Sequence, residues 1–180
     1  MVEAAATYRD WCERGLRAPR IAVNVSTMQL RQPDFCDSVH AAIAGSGPCG
    51  LDLEVTESLL MHNMEDAIRK LREIRLLGIG VSLDDFGTGY SSLAHLARLP
   101  VDTLKIDRTF INRMTDNPDD TSIVTAILSL GRSLNRTVIA EGVETEAQAG
   151  LLRRLRCDQM QGHLYSAPLP RDRLEQLIFN

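Results

Sequence analysis

Short apolar runs alternating with amphipathic stretches constrain this chain more than any other feature. Ile21-Ala22-Val23, Leu51 to Val55, Gly80 to Leu83, Val101 to Ile106, Thr137 to Ala140 and Asp158 to Met160 each have the length and composition of a buried strand. Between them, Met64 to Leu77 and Thr121 to Leu134 carry apolar residues at helical spacing. A strand followed by a helix, repeated, predicts a parallel sheet covered by helices. Gly45-Ser46-Gly47-Pro48 and Asn117-Pro118-Asp119-Asp120 punctuate that pattern as turns, and no long linker or low-complexity tract interrupts it. One domain is therefore expected over residues 1–180.

The polar residues fall at one end of these runs. Asn24 follows Val23, Glu54 stands near the end of its run, and Asp84 and Asp85 close theirs. Lys105 and Asp107 end the next, Glu141 follows Ala140, and Gln161 follows Met160. In a β/α barrel the carboxyl ends of the strands converge on one face, which is where active sites of that fold lie. The set is rich in oxygen donors, with one lysine and no clustered His or Cys, so it suits a hard cation such as Mg²⁺ or Mn²⁺ and not zinc. Asp84-Asp85-Phe86-Gly87-Thr88-Gly89-Tyr90-Ser91-Ser92 adds a glycine-rich turn after paired acids, with Ser91 and Ser92 placed to cap a following helix.

Composition narrows the partners. Net charge is −4 and no long Lys/Arg block occurs, so a nucleic-acid polymer is not expected as a partner. No apolar stretch approaches a bilayer span, and the opening Met1-Val2-Glu3-Ala4 lacks a signal-peptide layout, which leads to the expectation of a soluble cytoplasmic chain. Cys12, Cys36, Cys49 and Cys157 have no close-paired spacing and are expected as reduced thiols. Met28, Met61, Met64, Met114 and Met160 are expected to pack, and Asp116, Asp119 and Asp120 to cap and charge a helix start.

The segments Val23-Asn24-Val25-Ser26, Glu54-Val55-Thr56-Glu57, Asp84 to Ser92, Leu104-Lys105-Ile106-Asp107, Ala140-Glu141-Gly142-Val143-Glu144 and Gln161-Gly162 occur in one order along the chain. That ordered set resembles the signature of the EAL family of cyclic di-GMP phosphodiesterases. The resemblance implies a metal-dependent hydrolase that opens cyclic di-GMP to linear pGpG, using two divalent cations, Mg²⁺ or Mn²⁺. It implies Asn24, Glu54 and Asp84 as ligands of one cation and Asp85 as the acid serving the other. Glu141 corresponds to a general base or ligand of a metal-bound water, and Lys105 to the lysine holding water and phosphate. Asp107 and Gln161 correspond to site-lining positions. Glu57 and Glu144 correspond to acids that brace neighbouring loops, Glu57 holding the loop from Asp84 to Ser92.

Each residue also has a plainer reading: Lys105 as a surface lysine, Glu57 and Glu144 as helix-start acids, Asn24 as a turn former. The chain also departs from the family pattern, having no Glu-Ala-Leu tripeptide. The expectation is therefore a TIM-like β/α barrel of the EAL type, incomplete at its N-terminus, with about six of eight strands and a single partial EAL domain over 1–180. That leaves the chain's own activity open, with a catalytically inactive nucleotide-binding or protein-interaction module as the alternative. A homodimer or an upstream sensory or cyclase domain is the expected protein partner.

Overall fold

The computed structural model describes residues 1–44, 50–57, 63–89 and 93–179. The expected Gly45–Pro48 turn, Cys49, Met61 and the Ser91-Ser92 cap lie outside the described residues. Two compact units make up the chain: Met1–Ser82 with Ala94–Val101, and Leu83–Leu93 with Asp102–Asn180.

In the first unit, α1 (Val2–Glu13) precedes β1 (Ile21–Asn24), α2 (Thr27–Arg31), α3 (Phe35–Ile43), β2 (Leu51–Thr56) and α4 (Met64–Leu76), followed by the start of β3 (Gly80–Phe86) and most of α5 (Leu93–Arg98). β1 and β2 are parallel, with Ile21 opposite Leu51 and Asn24 opposite Glu54, and β3 lies beyond β2 in the strand order. Leu51, Leu53 and Val55 are fully buried at alternate positions of β2, the period of a strand with one packed face. On α4 the buried residues Ala67, Ile68, Leu71 and Ile74 follow helical spacing. Burying Leu71 and Ile74 is worth about 1.5–3 kcal/mol each, which exceeds what the exposed Arg69–Asp66 pair returns.

One buried residue of α4 is charged. Lys70 is 3% exposed, and its ammonium donates to the carbonyls of Leu30 at 2.8 Å and Gln32 at 3.0 Å and lies 2.9 Å from Asp66 Oδ2. All three donors thus have acceptors, which is the condition for burying an ammonium. The bond ties the end of α2 to α4. At the opposite end of the strands, Arg20 reaches Asp52 Oδ1 (2.9 Å), the Leu51 carbonyl (2.5 Å) and the Gly78 carbonyl (3.2 Å). Cys36 fills core space. Burial, reinforced by the neighbouring Glu73, pushes its thiol up to about 11, so it stays protonated. The described cysteines Cys12, Cys36 and Cys157 are all free thiols.

In the second unit the end of β3 is followed by β4 (Thr103–Ile106), α6 (Arg108–Arg113), α7 (Pro118–Ser133), β5 (Thr137–Ala140), α8 (Glu146–Arg154), β6 (Gln159–Met160) and α9 (Arg171–Phe179). The strand order is β3, β4, β5, β6, parallel from β4 to β6, with Lys105 opposite Ile139 and Ala140 opposite Met160. The six strands among the described residues and their β/α order agree with the EAL-type α/β expectation. β3 runs three residues past Leu83, so Asp84 and Asp85 belong to the strand itself. α7 begins at Pro118, three residues earlier than the apolar spacing suggested, because Asn117 is its N-cap and Pro118 its first residue.

Asp119 and Asp120 both stand in that first turn as expected, and Asp120 has a further task. It is 1% exposed, held by Arg113 Nη2 at 2.8 Å and by Asn117 Nδ2 at 2.6 Å, and so ties α6 to α7. Met114 is buried as expected, whereas Met28 is 78% exposed. Among the described residues no helix is long and apolar enough to cross a membrane.

Replacing Lys70 by Met should cost about 2–3 kcal/mol in urea unfolding at neutral pH, because two carbonyls lose their Lys70 donor and the Asp66 carboxylate keeps only Arg69. The sign with pH is fixed by Asp66, whose carboxyl is held low first by the hydrogen bond from Lys70 and then by that from Arg69. Its contribution is present above the unfolded carboxylate pKa and lost as pH falls through the lower folded value. The stability gap between wild type and Lys70→Met should therefore narrow in acid.

Candidate active site

Ladder hydrogen bonds set the strand-end residues of the second unit in place one after another. Asp107 N–H meets the Phe86 carbonyl at 3.5 Å, Glu141 N–H the Ile106 carbonyl at 3.2 Å, and Gln161 N–H the Ala140 carbonyl at 2.9 Å. The helix caps that follow hold the turns. Thr145 and Gln148 form a capping box at the start of α8, in which Gln148 Oε1 also accepts from Glu144 N–H at 2.8 Å. Gly162 is required by proximity, since a Cβ there would lie 2.1 Å from the Val143 carbonyl oxygen and 2.3 Å from its nitrogen.

The chemistry centres on Lys105. Its side chain is buried, with Nζ 2.6 Å from Glu141 Oε1 and 3.2 Å from Asp84 Oδ1. Asp84 Oδ1 is itself buried and makes no aligned hydrogen bond, so its link to the ammonium is electrostatic only. Asp84, Asp85 and Glu141 each offer a ligand oxygen within 4.8 Å of the others. Three hard oxygens at that spacing, with a buried carboxylate oxygen of Asp84 lacking a hydrogen-bond donor beside them, fit a divalent cation.

Asp85 and Asp107 form the second part of the cluster. Asp85 has a left-handed backbone (φ 53°), uncommon for a residue with a side chain and easiest for Asp or Asn. Burial, the like charge of Asp84 and a hydrogen bond with Asp107 together push its carboxyl up. Asp107 is the N-cap of α6 and accepts from Thr109 N–H at 2.8 Å and from Thr109 Oγ1. Burial pushes Asp107 up, but the two Thr109 donors, the Asp85 hydrogen bond and the charge of Arg108 outweigh it and hold the carboxyl low. The pair thus has separated affinities for a proton.

Gly87, which follows the acids, lies close to Phe110. Gly87 has φ 101°, and a Cβ on it would meet the Phe110 ring at 2.9 Å, so glycine allows both the turn and the close approach. Thr109 and Phe110 were not among the residues singled out from sequence. The Asp-x-Thr step after a strand was a legible capping signal for Thr109. Phe110 left none, because its contact is long-range.

The remaining expected site residues lie as follows. Asn24 and Glu54 face each other across the β1–β2 register in the first unit, and the Ser26–Gln29 capping box follows Asn24 directly. Glu57 is buried; Tyr90 to Ser92 of the loop it is expected to hold lie outside the described residues. Glu144 and Gln161 are exposed. Gln161 is tied through its backbone, its carbonyl accepting from Val143 N–H at 3.0 Å.

Carboxylates grouped around a buried lysine at the carboxyl ends of parallel strands define an α/β protein of the kind that carries its site on strand ends. The chain belongs to the EAL domain family, whose model matches residues 1–168. It is 46% identical over 96% of its length to the bifunctional diguanylate cyclase/cyclic di-GMP phosphodiesterase MucR of Pseudomonas aeruginosa, and covers 25% of that protein. It is 45% identical over 88% of its length to the cyclic di-GMP phosphodiesterase NbdA of the same organism, and covers 21% of it. The chain thus spans about a quarter of the length of these curated relatives. Among solved structures, the P. aeruginosa MucR phosphodiesterase in complex with c-di-GMP matches with a TM-score of 0.91 at 46% identity, over 96% of this chain and 71% of that one. The EAL domain of Mycobacterium smegmatis DcpA matches with a TM-score of 0.91 at 38% identity, over 98% and 81%.

Thr109→Val removes one of the two donors on Asp107 and should cost about 1 kcal/mol at neutral pH. Because Asp107 is held low in the folded chain, that stabilisation is present above the unfolded carboxylate pKa and lost as pH falls through the folded value. The wild-type and Val melting curves should therefore converge in acid, while Thr109→Ser should behave as wild type throughout.

Proposed function

We propose that this chain is the catalytic part of a phosphodiesterase that hydrolyses cyclic di-GMP to linear pGpG, and that the site takes Mg²⁺ or Mn²⁺. The observation that carries the reading is the Asp84, Asp85 and Glu141 oxygen cluster around Lys105, in a chain nearly half identical to two proteins named as cyclic di-GMP phosphodiesterases.

Asp84, Asp85 and Glu141 would hold a divalent cation, and family resemblance alone adds Asn24 and Glu54 to the ligands. Such a cation supplies Lewis acidity toward the phosphodiester and makes a coordinated water more acidic. Glu141 accepts a proton from the attacking water, as a carboxylate placed within reach of it can. Lys105 Nζ balances the carboxylates in the unliganded site and presents a positive charge to the phosphate when substrate enters. Asp107, fixed by Thr109, orients Asp85 through their hydrogen bond. Gln161 is assigned to nucleotide contact and Glu57 and Glu144 to loop bracing on the same resemblance. The cytoplasm is the compartment proposed, and a second copy or a sensory or cyclase domain the protein partner.

The test is product formation from cyclic di-GMP, followed by chromatography. Conversion to pGpG should require Mg²⁺ or Mn²⁺ and stop in excess EDTA, with Ca²⁺ a poor substitute because of its larger radius and looser coordination. Glu141→Gln should lower turnover by about 100-fold or more yet keep nucleotide binding, and Lys105→Ala should weaken both. Undiminished turnover in chelator, or wild-type rates in Glu141→Gln, would refute the assignment.

A further inference from the structure

At the other end of β5 from Glu141, the turn from α7 into the strand borders a cavity of about 320 Å³ lined by Arg132, Asn135, Arg136, Thr137 and Asp158. Asn135 has a left-handed backbone (φ 54°), and Arg136 N–H returns to the Gly131 carbonyl at 2.8 Å, so the turn is a fixed platform. The donors on it are under-used. Arg136 Nε is buried and has no hydrogen-bond partner among the described residues. Arg132 makes long contacts, 3.3 Å to Ser129 Oγ and 3.5 Å to the Leu155 carbonyl.

Leaving a buried N–H of a charged group without an acceptor is costly. The acid in the lining does not meet that need: Asp158 Oδ2 accepts from Val138 N–H at 2.8 Å and so anchors the start of β5. Two guanidinium groups against one carboxylate leave the lining net positive. Guanidinium forks match phosphate oxygens in geometry as well as in charge. A volume of about 320 Å³ is at the small end of metabolite sites, which fits a compact phosphate ester.

We propose that this cavity binds a phosphate-bearing small molecule of about mononucleotide size. Arg132 and Arg136 take the phosphate, and Asn135 and Thr137 supply neutral donors. The site is separate from the acid cluster, since Thr137 and Glu141 stand at opposite ends of the short β5.

The experiment is an amide NMR titration of the chain with inorganic phosphate, with AMP and, as control, with acetate. Saturable shifts at Asn135, Arg136 and Thr137 are expected with AMP, at least as tight as with phosphate, and not with acetate. Arg136→Met should weaken binding by about 10- to 100-fold, the worth of a charged hydrogen bond. Asp158→Asn keeps an oxygen for Val138 N–H but removes a repelling charge, and should tighten binding severalfold. Should Arg136→Met fail to fold, the exposed Arg132→Met, expected to weaken binding in the same direction, decides the matter. Absence of saturation at about 10 mM AMP, an equal response to acetate, exclusion of AMP where phosphate binds, or affinity unchanged in the arginine variants would each overturn the proposal.

Discussion

A buried ammonium has to be surrounded by acceptors, and in this chain the demand of Lys105 organises the carboxylates around it. Transfer of an unpaired lysine into a protein interior costs several kcal/mol, so the positions of Asp84 and Glu141 follow from where β4 ends. The two acids sit 3.2 and 2.6 Å from one nitrogen, and without it their like charges would repel. The same contacts keep the site assembled before any ligand arrives. A cation or a phosphate entering the cluster changes the partners of groups that already stand in place, which is the meaning of preorganisation for a polar site.

Along the chain one device recurs. A strand ends on a functional side chain, and a side-chain cap opens the helix that follows within a few residues. Asn24 is followed by the Ser26–Gln29 box, Glu141 by the Thr145–Gln148 box, and Asp107 is itself the cap of α6. Each cap satisfies backbone donors that would otherwise be orphaned, and it removes freedom from the turn on which the functional residue is mounted. Local helix-start chemistry thus determines how sharply the site is defined, and Thr109 shows the effect reaching from the cap to Asp107 and on to Asp85.

Much of this was legible in the sequence. Strand-length apolar runs such as Leu51 to Val55 and Thr137 to Ala140 became strands, because alternating burial over so few residues leaves little choice. The oxygen-rich strand ends of the second unit also came together, because parallel strands deliver their carboxyl ends side by side. What was not legible depended on contacts far apart in the chain or on spare apolar residues. Met28 is exposed although methionine usually packs, since the short α2 buries Leu30 instead. Asp120 is an acid at a helix start, as its position suggested, but its carboxylate is also committed to Arg113, which only the packing of α6 on α7 could reveal. Phe110 beneath Gly87 belongs to the same class, a close approach with no local pattern to announce it.

Arg20 stands just before β1, at the amino ends of the first unit's strands. Its guanidinium spans Asp52, the Leu51 carbonyl and the Gly78 carbonyl, three points whose spacing is right in only one alignment of β1, β2 and the approach to β3. A shift of β1 by one residue would carry the charge off all three and turn every side chain of the strand to the other face. Arg20 therefore works as a gauge: it penalises the misaligned sheet at the end away from Asn24 and Glu54. Alignment of these strands is thus held from their amino ends, and does not call on the side chains of Asn24 and Glu54.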